Sequence, residues 1–147
     1  MKLTPYFTLQ EMILSETAAR KGIDNTPSAD IINNLQRLAE FLEHVRALVG
    51  RPILVTSGYR SPQLNQAIGG AARSSHMSGL AADINAPGLT PLELARSIAD
   101  SELAFDQLIL EFDAWVHIGL ATRDPRRQLM TIRRGSGYRA GLVEVGR

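Results

Sequence analysis

The sequence predicts one domain of mixed α and β structure, on three observations. Residues 28–49 repeat apolar side chains at Ile31, Leu35, Leu38, Leu42, Val45 and Val49, the three- and four-residue spacing of one helix face. Pro52-Ile53-Leu54-Val55-Thr56 is instead short, apolar and β-branched, and further short apolar runs lie on either side of Asp113-Ala114. A length of 147 residues, 44% of them apolar, suits a single domain (1–147) with an ordinary core.

Taken in order, Thr8 with Glu11 three positions on is a capping-box pattern that starts a short helix. Ser15-Glu16-Thr17 ends or restarts it. Residues 22–27 read as loop, with Asn25 and Pro27 as turn residues and Thr26 biased away from helix by the proline. The long helix of residues 28–49 stops at Gly50 and carries His44, read as a surface or boundary histidine. Residues 52–56 form a buried strand that delivers Ser57-Gly58-Tyr59-Arg60. Ser61 as cap and Pro62 at the first position open a short helix, closed by Gly69-Gly70. Residues 71–75 are loop leading to His76, and residues 80–86 are a strand carrying Asp83. Thr90-Pro91-Leu92-Glu93 starts a helix that runs to about residue 101. Residues 103–112 and 115–120 are two strands around a tight turn, and residues 128–133 are a last strand. Residues 135–147 have little pattern and read as a loose tail or an interaction arm.

Composition excludes several chemistries. With no cysteine there is no thiolate ligand, disulfide or cysteine nucleophile, so a metal must rest on His, Asp or Glu. Gly69-Gly70 lacks the lysine of a phosphate loop, and Ser57 and Ser61 have no histidine and acid at nucleophile spacing. A formal charge of +1 says little about partners. Arg123, Arg126, Arg127, Arg133, Arg134, Arg139 and Arg147 crowd the last part of the chain; this reads as a solvated face, and nucleic acid is not expected as a partner. No segment approaches bilayer-spanning length, and Met1-Lys2-Leu3-Thr4-Pro5-Tyr6 lacks the apolar run of a signal peptide. The expectation is synthesis in a cytoplasm.

The chemistry gathers around Ser75-His76-Met77-Ser78-Gly79-Leu80-Ala81-Ala82-Asp83, with His117 downstream in Trp115-Val116-His117-Ile118. Two imidazoles and one carboxylate are a three-ligand set for one zinc ion, with one position left open for water, as in catalytic sites. An extended link would hold His76 and Asp83 too far apart, at roughly 3.3 Å per residue, so a turn at Ser78-Gly79 must fold them together. His117 completes the set only if its strand pairs near Asp83. The competing reading has Asp83 capping a turn and both histidines satisfied by hydrogen bonds.

Ser-x-His-x-x-Gly-x-Ala-x-Asp followed by Trp-x-His, together with Ser57-Gly58-Tyr59-Arg60-Ser61-Pro62, resembles the zinc D-Ala-D-Ala carboxypeptidase and murein endopeptidase family over about residues 5–120. The resemblance implies an α+β fold, a small antiparallel sheet backed by helices, of the Hedgehog/DD-peptidase-like zinc type. It implies zinc on His76, Asp83 and His117, and hydrolysis of an amide bond in peptidoglycan stem peptides or cross-bridges. Arg60 is implied to hold a substrate carboxylate or to steady the oxyanion. Ser75 and Trp115 are expected at the substrate, the first through a hydrogen bond and the second as a cleft wall. Several branches of the family carry the general base three residues before the last histidine, where this chain has Ala114. Glu111 is the favoured base and Asp113 the alternative, because a connection of Phe112, Asp113 and Ala114 sets Glu111 opposite Trp115 on the face of His117. A cell-wall substrate reached without a signal peptide implies phage-type release or a virion component. The contrasting possibility is a non-catalytic zinc-containing wall-binding or virion structural module, supported by Ala114.

Overall fold

Local signals set the helices of this computed structural model, which describes residues 1–145. A short hairpin, β1 (Lys2–Thr4) and β2 (Phe7–Thr8), leads into α1 (Leu9–Ile13). The capping box is complete: Glu11 donates its backbone N–H to Thr8 Oγ1 at 3.2 Å, and Thr8 donates its own to Glu11 Oε1 at 2.7 Å. Ser15 restarts the chain as α2 (Glu16–Lys21), which ends on Gly22 in the left-handed region. α3 (Ala29–Val49) is capped by Ser28, stops at left-handed Gly50, and buries Leu35, Leu38, Leu42 and Val45. β3 (Leu54–Ser57), α4 (Pro62–Ala67), a 3-10 turn (Ser75–Ser78) and β4 (Ala81–Asn85) follow. Then come α5 (Pro91–Ala99), β5 (Gln107–Glu111), β6 (Trp115–Gly119), β7 (Gln128–Ile132) and β8 (Arg139–Ala140).

The architecture is α+β, as expected. The main sheet has six strands in the order β3-β4-β6-β5-β7-β8. Every pair is antiparallel except β5 with β7, which run parallel. Strand alternation divides its labour. Ala82, Ile84, Leu108, Val116 and Ile118 point to one side and form a single core with the apolar faces of α3 and α5. Asp83, Ile109, Glu111, Trp115 and His117 point to the other side, because Asp83 and Ile109 both stand opposite His117 and Glu111 stands opposite Trp115.

Five features depart from the sequence reading. β3 is a largely exposed edge strand rather than a buried one, with Leu54 turned to solvent. The β1–β2 hairpin depends on α3: Gln36 donates to the Leu3 carbonyl, and Glu43 accepts from Thr4 Oγ1 and Tyr6 N–H. β5 begins at Gln107 rather than at residue 103, because the Ser101 and Leu103 carbonyls accept from the Arg127 guanidinium instead of joining a strand ladder. His76 sits in a 3-10 turn rather than an open loop. Residues 135–145 are not loose: β8 pairs with β7, Gly141 N–H donates to the Leu129 carbonyl, and Thr131 Oγ1 bonds to both Gly141 and Val143. Residues 146 and 147, including Arg147, lie outside the described part.

The C-terminal arginines act partly as staples. Arg126 pairs with both oxygens of Asp106, and Arg133 pairs with both oxygens of Asp113 and donates to the Val143 carbonyl. Among the described residues no helix is long and apolar enough to cross a membrane.

Candidate metal centre

The sheet itself brings two of the candidate ligands together. Asp83 on β4 and His117 on β6 are direct cross-strand partners. His117 Nδ1 lies 3.1 Å from Asp83 Oδ1. The third, His76, arrives from the 3-10 turn, which Gly79 closes at φ 74°. His76 Nε2 lies 3.3 Å from the same Asp83 oxygen, and the two imidazole centroids are 5.1 Å apart. One ligand atom from each of the three lies within 4.8 Å of the others, and all three residues are buried.

The hydrogen bonds favour a cation here. His76 Nδ1 is 2.7 Å from the Gly58 carbonyl oxygen, an obligatory acceptor, so Nδ1 carries the hydrogen. In the neutral ring that leaves the Nε2 lone pair facing inward. Nε2 is buried without a hydrogen-bond partner, since its approach to Asp83 lacks hydrogen-bond alignment. A lone pair aimed at a carboxylate oxygen is repulsive unless a positive charge stands between them. An orphaned imidazole nitrogen, a second imidazole and a carboxylate fit the nitrogen and oxygen donor set that zinc takes. Burial pushes the Asp83 carboxyl up, but the hydrogen bond with His117 and the close approach of His76 prevail, holding it well below the usual carboxylate range. Asp83 is therefore ionised, as a ligand must be.

The second motif serves the first. Gly58 orients His76 through its carbonyl, while Arg60 N–H donates to the His76 carbonyl at 3.1 Å. Only glycine fits at position 58, since a Cβ there would stand 2.2 Å from the Met12 carbonyl oxygen. The neighbouring Tyr59 N–H donates to that same oxygen. Two asparagines outside the sequence-derived site complete the support. Asn25 bonds to the Ile13 and Tyr59 carbonyls and accepts from Ser61 N–H, clamping the loop that carries Arg60. Asn65 accepts from Arg60 Nη1 at 3.2 Å and donates to the Ala71 carbonyl. Their partners lie across chain reversals, and only a turn signal marked Asn25 in the sequence.

The three ligand candidates open onto a cleft of about 580 Å³ that also receives Arg60, Ser75, Glu111 and Trp115. Arg60 Nη2 lies 3.8 Å from Asp83 Oδ2, and its Nε is buried without a partner. Burial lowers the guanidinium pKa, opposed by the charges of Asp83 and Glu111. Glu111 is diagonal to His117 on one sheet face and accepts from Trp115 Nε1 at 2.6 Å. Burial raises its carboxyl pKa, with the Asp83 charge adding to the rise and His117, the Trp115 hydrogen bond and His76 opposing it. Asp113 does not join this group. It sits at the hairpin turn, bonded to Arg133, which holds its carboxyl below the usual range. Arg73, Gln107 and Tyr138 also line the cleft without having been marked in the sequence.

A search of curated proteins finds no match to this chain. A family model described as Peptidase M15 matches residues 5–119, a stretch that contains every ligand candidate, Arg60 and Glu111. The chain belongs to the Peptidase M15 family of zinc D-Ala-D-Ala carboxypeptidases.

Proposed function

We propose that the protein is a zinc-dependent peptidase that hydrolyses an amide bond in peptidoglycan peptides, acting at the cell wall where that substrate lies. The observation that carries this is the convergence of His76, Asp83 and His117 around an orphaned imidazole nitrogen, in one cleft with Glu111 and Arg60. Family membership supports the peptidase chemistry.

His76, Asp83 and His117 would hold one zinc ion. When bound, zinc supplies Lewis acidity that brings water within reach of deprotonation near neutral pH. Glu111 takes the proton of the attacking water. Its raised pKa suits it to hold that proton and then pass it to the leaving amine. Arg60 faces the charge that develops on the scissile carbonyl oxygen, and its half-buried setting strengthens that interaction over one in water. Asn65 and the Asp83 carboxylate fix its position. Ser75 and Trp115 border the substrate in the same cleft. The position held by an acid in several relatives is Ala114 here. Glu111, on the opposite arm of the hairpin, supplies the carboxylate, so a non-catalytic zinc module is not needed to account for Ala114.

Purified, zinc-loaded protein is expected to release fragments from murein sacculi, and mass spectrometry of the muropeptides reads which bond is cut. Glu111→Ala should keep stoichiometric zinc and lose about 10²–10⁴-fold in kcat. Asp113→Ala should stay active. A fully active Glu111→Ala would refute the base assignment, and zinc-loaded wild type that cuts no wall peptide would refute the function.

A further inference from the structure

The chain is poor in aromatic residues, at 5%, yet three of them line the cleft: Phe112, Trp115 and Tyr138. Phe112 and Tyr138 are conspicuous for their exposure, 42% and 60%. The Phe112 and Trp115 rings stand 5.5 Å apart and tilted by 55°. Tyr138 faces the same cleft from the β7–β8 connection, beyond the stretch that matches the family.

The backbone holds these rings at a cost. Phe112 and Asp113 adopt φ of 56° and 54°, a region that a bulky L-residue rarely enters. Such conformations persist only where surrounding structure imposes them. Here Phe112 N–H donates to the Ile132 carbonyl on β7, and Asp113 is gripped by both nitrogens of the Arg133 fork. The same Arg133 begins the turn that presents Tyr138, closed by its bonds with Ser136. β8 then anchors the far side of that turn on β7. One ion pair thus joins the two hairpins, and both exposed rings ride on a single braced unit.

Exposed aromatic rings lining a polar cleft ask for an apolar face on the ligand. If the substrate is a wall peptide, as proposed above, its side chains are small or polar. The hexosamine that bears the peptide offers a rigid C–H face of the kind that packs flat on aromatic rings. We propose that Phe112, Trp115 and Tyr138 form a sugar-binding ledge, so that this peptidase prefers stem peptides still attached to the glycan. This rests on the peptidase reading, and it assigns a carbohydrate subsite adjoining the metal centre.

The test compares a disaccharide-linked stem peptide with the same peptide lacking sugar. Wild type should show a KM about tenfold lower for the sugar-linked substrate, the scale of one aromatic contact. Tyr138→Ala and Phe112→Ala should raise KM for that substrate toward the bare-peptide value. Their effect on the bare peptide should be far smaller, with zinc stoichiometry retained. Equal KM values for the two substrates in wild type, or variants that weaken both alike, would overturn the ledge. Wild type that cleaves neither substrate counts against the peptidase reading, and the ledge is then judged by binding. Trp115 is the chain's one tryptophan. Titration with the N-acetylated disaccharide alone should change its emission in wild type and not in Tyr138→Ala; no change in wild type would refute the subsite.

Discussion

Trp115 tempers the burial-driven rise of the Glu111 pKa through a 2.6 Å hydrogen bond from its indole N–H. Phenylalanine at 115 would keep a ring beside Phe112 and remove that donor. The bond lowers the Glu111 pKa, so its loss raises the pKa further above the ordinary value. A base must be deprotonated to work. The acidic limb of kcat/KM against pH should therefore move to higher pH in Trp115→Phe, which a pH profile of both proteins checks. Gly58→Ala acts at the same scale by a different route. The added methyl meets the Met12 carbonyl, costing about 1–3 kcal/mol, and disturbs the carbonyl that orients His76. Zinc affinity should fall about 10–100-fold, measurable by titration against a chelating indicator. The two residues differ in how readable they were. Gly58 lies in a motif seen directly in the chain. Asn25 carried only a turn signal, because what it clamps is decided by where distant backbone arrives, and Asn65 had no pattern to mark its bonds across the short α4 segment.

Elements with local start and stop signals were legible: Thr8 with Glu11, Ser28 with Gly50, and Thr90 with Glu93 each delimit a helix from within a few residues. The β5–β6 hairpin was legible too, since a three-residue connection and strand alternation suffice to set Glu111 opposite Trp115. β1–β2 and β8 were not, because side chains of α3 and β7 hold them and no local pattern announces those contacts. The parallel pairing of β7 with β5 belongs to the same class, decided by the return path after β6. Arg133 is the element-level joint between hairpins. Arg133→Ala should free residues 135–145, β8 included, and leave the other five strands of the main sheet in place. Hydrogen exchange at Arg139, Ala140 and Gly141 should then quicken, while amides of β4 and β6 keep their protection.

At the scale of the molecule, ligands from a turn and two strands tie metal binding to folding. Any zinc held only by the native state adds stability by mass action, about 2.7 kcal/mol when free zinc is 100 times Kd. Chelation should therefore lower Tm by about 5–10 °C for a chain of this size. A melting curve with and without chelator checks this; an unchanged Tm would mean that the three residues hold no ion.

Alternation in β6 has one more consequence. Val116 and Ile118 are wholly buried, and His117 lies between them with its side chain on the cleft side. Sliding β6 by a single position would drive an imidazole into the oily layer and lay two aliphatic groups bare to water. The meeting of His117 with Asp83 and His76 is therefore guarded by the same oily layer that fixes the strand's register.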